Sequence, residues 1–158
     1  VEAQFMKITY TQHVESCHGL AAEWFRNHSA TQLRTFYLGK PGTFDGNAPE
    51  NNDILSIIDW KNPEHWEYGC RYILSRNALI IHGDIGDAVY KFGMPLCFAD
   101  FEKFNWHYFW EKCVASETGR RYIQKIAGIS YPVPNIRAIA HFVGLQMALK
   151  QLSAQSPV

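Results

Sequence analysis

Hydrophobic and polar positions alternate most clearly from Trp66 to Ser75. Trp66, Tyr68, Cys70, Tyr72 and Leu74 interleave with Glu67, Gly69, Arg71, Ile73 and Ser75. A period of two marks a half-buried strand. Arg76-Asn77 suits a two-residue hairpin turn, with Asn tolerating the left-handed conformation. Ala78–His82 then returns as a second strand, and Asp87–Phe92 follows as a third. Upstream, Leu33–Leu38 and Ile54–Trp60 read as short strands, the latter closed by Asn62-Pro63. Between them Lys40–Asp53 is a long, polar, turn-rich loop, a kind of segment that often carries function.

Helical periodicity takes over elsewhere. Over Gln12–Asn27, after Thr11 as a cap, Val14, Cys17, His18, Ala21, Trp24, Phe25 and His28 share one face. Asp100 reads as the cap of a helix to about Val114, and Glu117–Ala127 as another, ended by Gly128. "YPVP", Tyr131–Pro134, is an extended link, because each proline turns its predecessor away from helix. Asn135 then caps a last helix reaching about Leu152. That helix is apolar on two stripes, so it is either deeply buried or offers the Asn135–Leu152 face to a homodimer. The expected architecture is one α+β domain over residues 6–158: an antiparallel β-meander of about four or five strands packed against helices. Val1–Phe5 precede Met6, which reads like a natural start, and are taken as a cloning remnant.

Composition narrows the function classes. The chain has 158 residues, 47% hydrophobic, enough for a core without disulfides. Lys+Arg and Asp+Glu both number 15, which disfavours direct nucleic-acid binding through a basic surface. Cys17, Cys70, Cys97 and Cys113 form no C-x-x-C pair and no disulfide ladder, pointing to a reducing, cytoplasmic compartment. No run approaches the length of a membrane span.

The stretch "HGDIGD", His82–Asp87, carries a GD-x-x-D pattern like that of two-metal phosphoesterases. Two-metal chemistry needs an upstream Asp-x-His and a following Gly-Asn-His, and neither is present. A hairpin loop is the simpler reading, and register tests it. With a turn at Arg76-Asn77 and a four-residue loop Gly83–Gly86, Tyr72, Leu74, Leu79, Ile81, Tyr90 and Phe92 share one face. A loop one residue longer would put Lys91 among them. Gly86 would supply the positive φ that ends the loop. Arg71, His82 and Asp87 then become neighbours on the opposite face, either a candidate general-base or ligand site or a polar patch stabilising the sheet. Asp84, in the loop, joins them as a candidate binding residue. Trp60 and Trp66 flank the turn-like "KNPEH" and are candidates for a protein interface if exposed. His13 and Cys17 stand at i, i+4 on the first helix, a zinc-compatible spacing, with His65 or Cys113 as distant partners. No second clustered ligand pair appears, so no metal and no cofactor is expected. Cys17 and His18 diverge around the helix and form no dyad. "FNWHYFW", Phe104–Trp110, has core rather than base-stacking spacing.

Two of these stretches carry a resemblance. "ALIIHGDIGDAVYKFG" and "YFWEKCVASETGR" resemble small phage- and prophage-encoded accessory proteins, over roughly Cys70–Arg120. No catalytic residues are carried over. The resemblance implies a phage protein in the bacterial cytoplasm that binds a host protein or ribonucleoprotein and inhibits a defence complex by steric occlusion, in the manner of an anti-CRISPR. The rival expectation is a small enzyme or nucleotide-binding protein using Arg71, His82 and Asp87.

Overall fold

The computed structural model describes residues 10–34, 55–117, 121–126 and 129–155. In chain order these form α1 (Tyr10–Trp24), β1 (Ser29–Arg34), β2 (Leu55–Asn62), β3 (His65–Ser75), β4 (Ala78–Gly83) and β5 (Ala88–Lys91). A 3-10 turn (Phe98–Lys103), α2 (Trp106–Glu111), β6 (Cys113–Ser116), β7 (Arg121–Ile126), β8 (Ile129–Pro134) and α3 (Ile136–Gln155) follow. Strands β1 to β6 lie side by side in sequence order as a six-stranded antiparallel meander, and β7–β8 form a separate two-stranded hairpin. The class is α+β as expected, with more strands than the expected four or five.

One face of the meander is the core. Ile58, Trp60, Tyr72, Leu79 and Ile81 are fully buried there, beside Leu74, Ala88 and Tyr90. Helices α1 and α3 supply the opposing layer, with Ala21, Ile139 and Leu145 fully buried, as is Phe25 just past the end of α1. Full burial of each large side chain contributes about 1.5–3 kcal/mol. Helix and sheet approach closely at Gly144. A Cβ there would stand 2.5 Å from the Tyr72 hydroxyl and 3.1 Å from Trp60 Nε1. The absence of a side chain lets the Tyr72 hydroxyl donate to the His141 carbonyl at 2.9 Å.

Both boundaries of α3 have local causes. Asn135 Oδ1 accepts from the Arg137 N–H at 2.8 Å, the expected cap, and the helix runs on to Gln155 rather than stopping near Leu152. Its apolar stripes are taken up inside the chain: Ala138 to Leu145, Ala148 and Leu149 are all buried. The face expected to serve a homodimer is therefore largely covered by its own chain.

Several expected elements differ. Helix α1 begins at Tyr10, so Thr11 lies inside it. The first strand starts at Ser29 instead of Leu33. Gln151 of α3 holds it there, accepting from the Ala30 N–H at 3.0 Å and donating to the His28 carbonyl at 2.8 Å. The expected loop Lys40–Asp53 and the end of the expected strand at Leu38 lie outside the described residues. The expected helix Asp100–Val114 is broken. Phe104 is extended, and Asn105 caps a new short helix by accepting from the Tyr108 N–H at 2.8 Å. Asp100 sits inside the 3-10 turn and accepts from the Cys97 N–H at 2.9 Å. Cys113–Ser116 leave the helix because the edge of β5 offers hydrogen-bond partners: Lys91 N–H donates to the Lys112 carbonyl at 2.9 Å, and Glu117 N–H to the Asp87 carbonyl at 2.8 Å. The expected helix Glu117–Ala127 is likewise a strand over Arg121–Ile126. It pairs with the extended "YPVP" stretch, Tyr122 opposite Val133 and Ile126 opposite Ile129.

Candidate functional site

The hairpin register agrees with the sequence reading. Leu74 faces Leu79, Tyr72 faces Ile81 and Arg71 faces His82. Leu79 faces Tyr90, Ile80 faces Val89 and Ile81 faces Ala88. Positive φ falls at Gly83 (146°) and Gly86 (93°), and Arg76 (55°) rather than Asn77 carries it in the preceding turn. Inside the loop, Ile85 turns into the core at 1% exposure. His141 fastens the loop from α3, its Nε2 lying 3.1 Å from the Ile85 carbonyl and 2.9 Å from the Gly86 carbonyl. Carbonyls only accept, so Nε2 carries the proton and Nδ1 accepts from the Tyr90 hydroxyl at 3.2 Å. Burial pushes this imidazole down to about 4, so it is neutral near pH 7. "GDIG" is thus a plug of the core.

On the outer face the expected trio divides into two pairs. Asp87 Oδ1 lies 2.9 Å from His82 Nδ1 and accepts from the Gly83 N–H at 3.1 Å. That N–H, then His82, holds the Asp87 carboxyl below its usual range. Arg71 turns the other way, its Nε donating to Asp59 Oδ1 at 2.6 Å and its Nη2 to Oδ2 at 3.1 Å. Arg71 still faces His82 across the strands as expected, but the bidentate geometry offered by Asp59 takes the guanidinium. Asp59 was legible in principle, since extending the same register onto the preceding strand places it opposite Arg71. With Arg71 and Asp59 side chains 45% and 16% exposed, the pair is partly screened. Arg71→Ala is expected to lower stability by about 1 kcal/mol or less. A double-mutant cycle with Asp59→Ala in urea measures it, and a coupling several times larger would show a desolvated pair.

Beside the polar pairs runs an apolar row. Ile57 faces Ile73, Ile73 faces Ile80, Ile80 faces Val89 and Val89 faces Ala115. The row crosses five strands on the face opposite the buried core, and Ile80 and Ala115 in it are exposed.

The two tryptophans separate. Trp60 is fully buried and belongs to the core, contrary to its expected place at an interface, whereas Trp66 is 76% exposed. The cause is a register break. Trp60 faces Cys70, but Asn62 already faces His65, so Lys61 alone opposes Trp66–Gly69. The turn itself is an Asx turn, Asn62 Oδ1 accepting from the Glu64 N–H at 3.0 Å. Between Trp66 and the sheet lies a depression of about 580 Å³ lined by Lys61, Arg71, His82 and Gly83 among others. Asp84 is exposed, and its N–H donates to the Gly69 carbonyl at 2.9 Å.

The remaining candidates have structural partners. His13 Nε2 lies 2.9 Å from the Pro134 carbonyl and 3.6 Å from Cys17 Sγ. Among the described residues no three His, Cys, Asp or Glu side chains gather as metal ligands. His18 lies edge-on to Trp106 and Phe142. Burial pushes the Cys17 thiol up and Cys70 to about 12, so neither is a thiolate nucleophile at neutral pH. No described helix is long and apolar enough to cross a membrane.

No family model, curated protein or solved structure matches this chain.

Proposed function

We propose that the protein is a phage-encoded binding protein that inhibits a bacterial defence complex of the RNA-guided type by covering one of its surfaces. The supporting observation is the outer sheet face. On it Arg71 is ion-paired with Asp59, and His82 and Asp87 are hydrogen-bonded to each other. A row of aliphatic side chains beside them reaches solvent at Ile80. Paired charges around apolar contact area suit association with a protein surface. The likeness of the Cys70–Arg120 stretches to phage accessory proteins supplies the class of target. In the rival ligand site Asp59 engages the arginine on two of its donors.

The test is phage plating on bacterial strains that each carry one RNA-guided defence complex. Expression of the protein is expected to restore plaques on at least one strain, and the purified complex is expected to bind it. Ile80→Lys should lose most of that relief while costing about 1 kcal/mol or less of stability. Unchanged plating on every strain would sink the reading.

A further inference from the structure

We infer that Trp66–Gly69 is a preorganised recognition element that presents the Trp66 indole to an apolar slot on a partner protein; this rests on the binding reading above. The bulge is an unusual construction to keep without use. One residue, Lys61, opposes four. Tyr68 sits at φ 60°, a conformation that bulky residues rarely adopt. Such backbone persists only where the surroundings over-determine it, and bulges of this kind re-aim a side chain.

Three separate parts of the fold hold the bulge. Trp24 of α1 stacks on the Tyr68 ring, centroids 4.6 Å apart and planes within 2°. His28, itself 4% exposed, places Nε2 3.0 Å from the Tyr68 carbonyl, so that nitrogen donates. The β4–β5 loop holds the Gly69 carbonyl through the Asp84 N–H at 2.9 Å. All three grip the C-terminal half of the bulge. The N-terminal half is left outward, with the Trp66 indole 76% exposed and stacked on His65 at 6.2 Å. Depressions of about 580 Å³ and about 440 Å³ flank this ridge, leaving room for a partner's rim on both sides.

The charges nearby decide the partner's class. Lys61 and Arg71 are offset by Asp59, Glu64 and Glu67, and the whole chain has formal charge +0. A base-stacking platform needs a basic groove for the phosphates. A protruding tryptophan amid balanced charge is instead the anchor of a protein contact, where such residues dominate binding.

The probe is the purified defence complex whose restriction the wild-type protein relieves, with its guide RNA alone as a second probe. Trp66→Ala should weaken binding of the complex about thirtyfold, the hot-spot threshold converted to affinity, with Tm moved by no more than about 1 °C. Tyr68→Gly keeps the indole but releases its mount, and should weaken binding about tenfold while narrowing the 19F line of 5-fluorotryptophan at position 66. Binding by Trp66→Ala equal to wild type overturns the anchor and leaves the binding reading standing. Equal binding by Tyr68→Gly overturns the preorganisation. Quenching of Trp66 by guide RNA alone overturns the assignment to a protein slot. A wild-type protein that binds no such complex overturns both readings together.

Discussion

Gly83→Ala is expected to destabilise the protein by about 3–5 kcal/mol, a fall in Tm of about 10–15 °C. Two terms add. Position 83 holds φ 146°, where an L-residue with a side chain is strained. A Cβ there would also lie 2.4 Å from the Gly69 carbonyl oxygen and 2.7 Å from the Cys70 Cα. Both are backbone atoms of β3, so no side chain can swing aside. The strand would have to separate from its neighbour beside the buried Cys70. Gly19→Ala is the control. It stands in α1 with nothing within 4 Å of the added methyl, and should be neutral or stabilise by up to about 1 kcal/mol. Thermal melts of the two variants followed by circular dichroism decide the point. Equal melting temperatures would mean that the β3–β4 contact is looser than described.

His141→Ala is expected to cost about 4 kcal/mol, because it opens a cavity and strips the Tyr90 hydroxyl of its buried acceptor and two loop carbonyls of their donor. The wild-type residue should also make the protein acid-sensitive. Its imidazole is lowered by burial from 6.5 to about 4, so between those values the unfolded chain binds the extra proton and the folded chain does not. Stability therefore rises with pH across that window. The contribution is complete above about pH 6.5 and lost as pH falls towards 4, a change of order 3 kcal/mol. His18 and His28 are lowered in the same direction by burial and add to the slope. Urea unfolding at a series of pH values should give a shallower acid limb for His141→Phe than for wild type. Identical limbs would mean that His141 is not held neutral by its surroundings.

On the outer face, strand alternation fixes neighbours without fixing side-chain partners. Alternation alone placed Arg71 beside His82 and His82 beside Asp87, because strand register fixes which Cα atoms face each other. It did not choose between the carboxylates within reach of a long guanidinium on both sides. Asp59 won because its two oxygens meet Nε and Nη2 in a fork, while Asp87 was already engaged by the Gly83 N–H and His82. Trp60 and Trp66 looked alike for a related reason. Both flank one turn, and a period of two has no way of announcing that Lys61 opposes four residues. The strain at Tyr68 that makes this break tolerable is secured by Trp24 and His28, both distant in sequence.

By itself the sequence determined the meander from Cys70 to Lys91, its register and the capped start of α3. Those features rest on local terms: alternation, turn residues, and an Asn beside an apolar helix. The tertiary structure decided the fate of residues 113–116 and 121–126. An open edge at β5 and the extended partner strand β8 outbid a modest helix preference, because each strand residue recruited there gains hydrogen bonds that an isolated helix end lacks. It also turned "HGDIGD" from a loop into an anchor. Ile85 reaches the core only because α3 brings His141 beneath the loop, and that meeting depends on residues 55 positions apart.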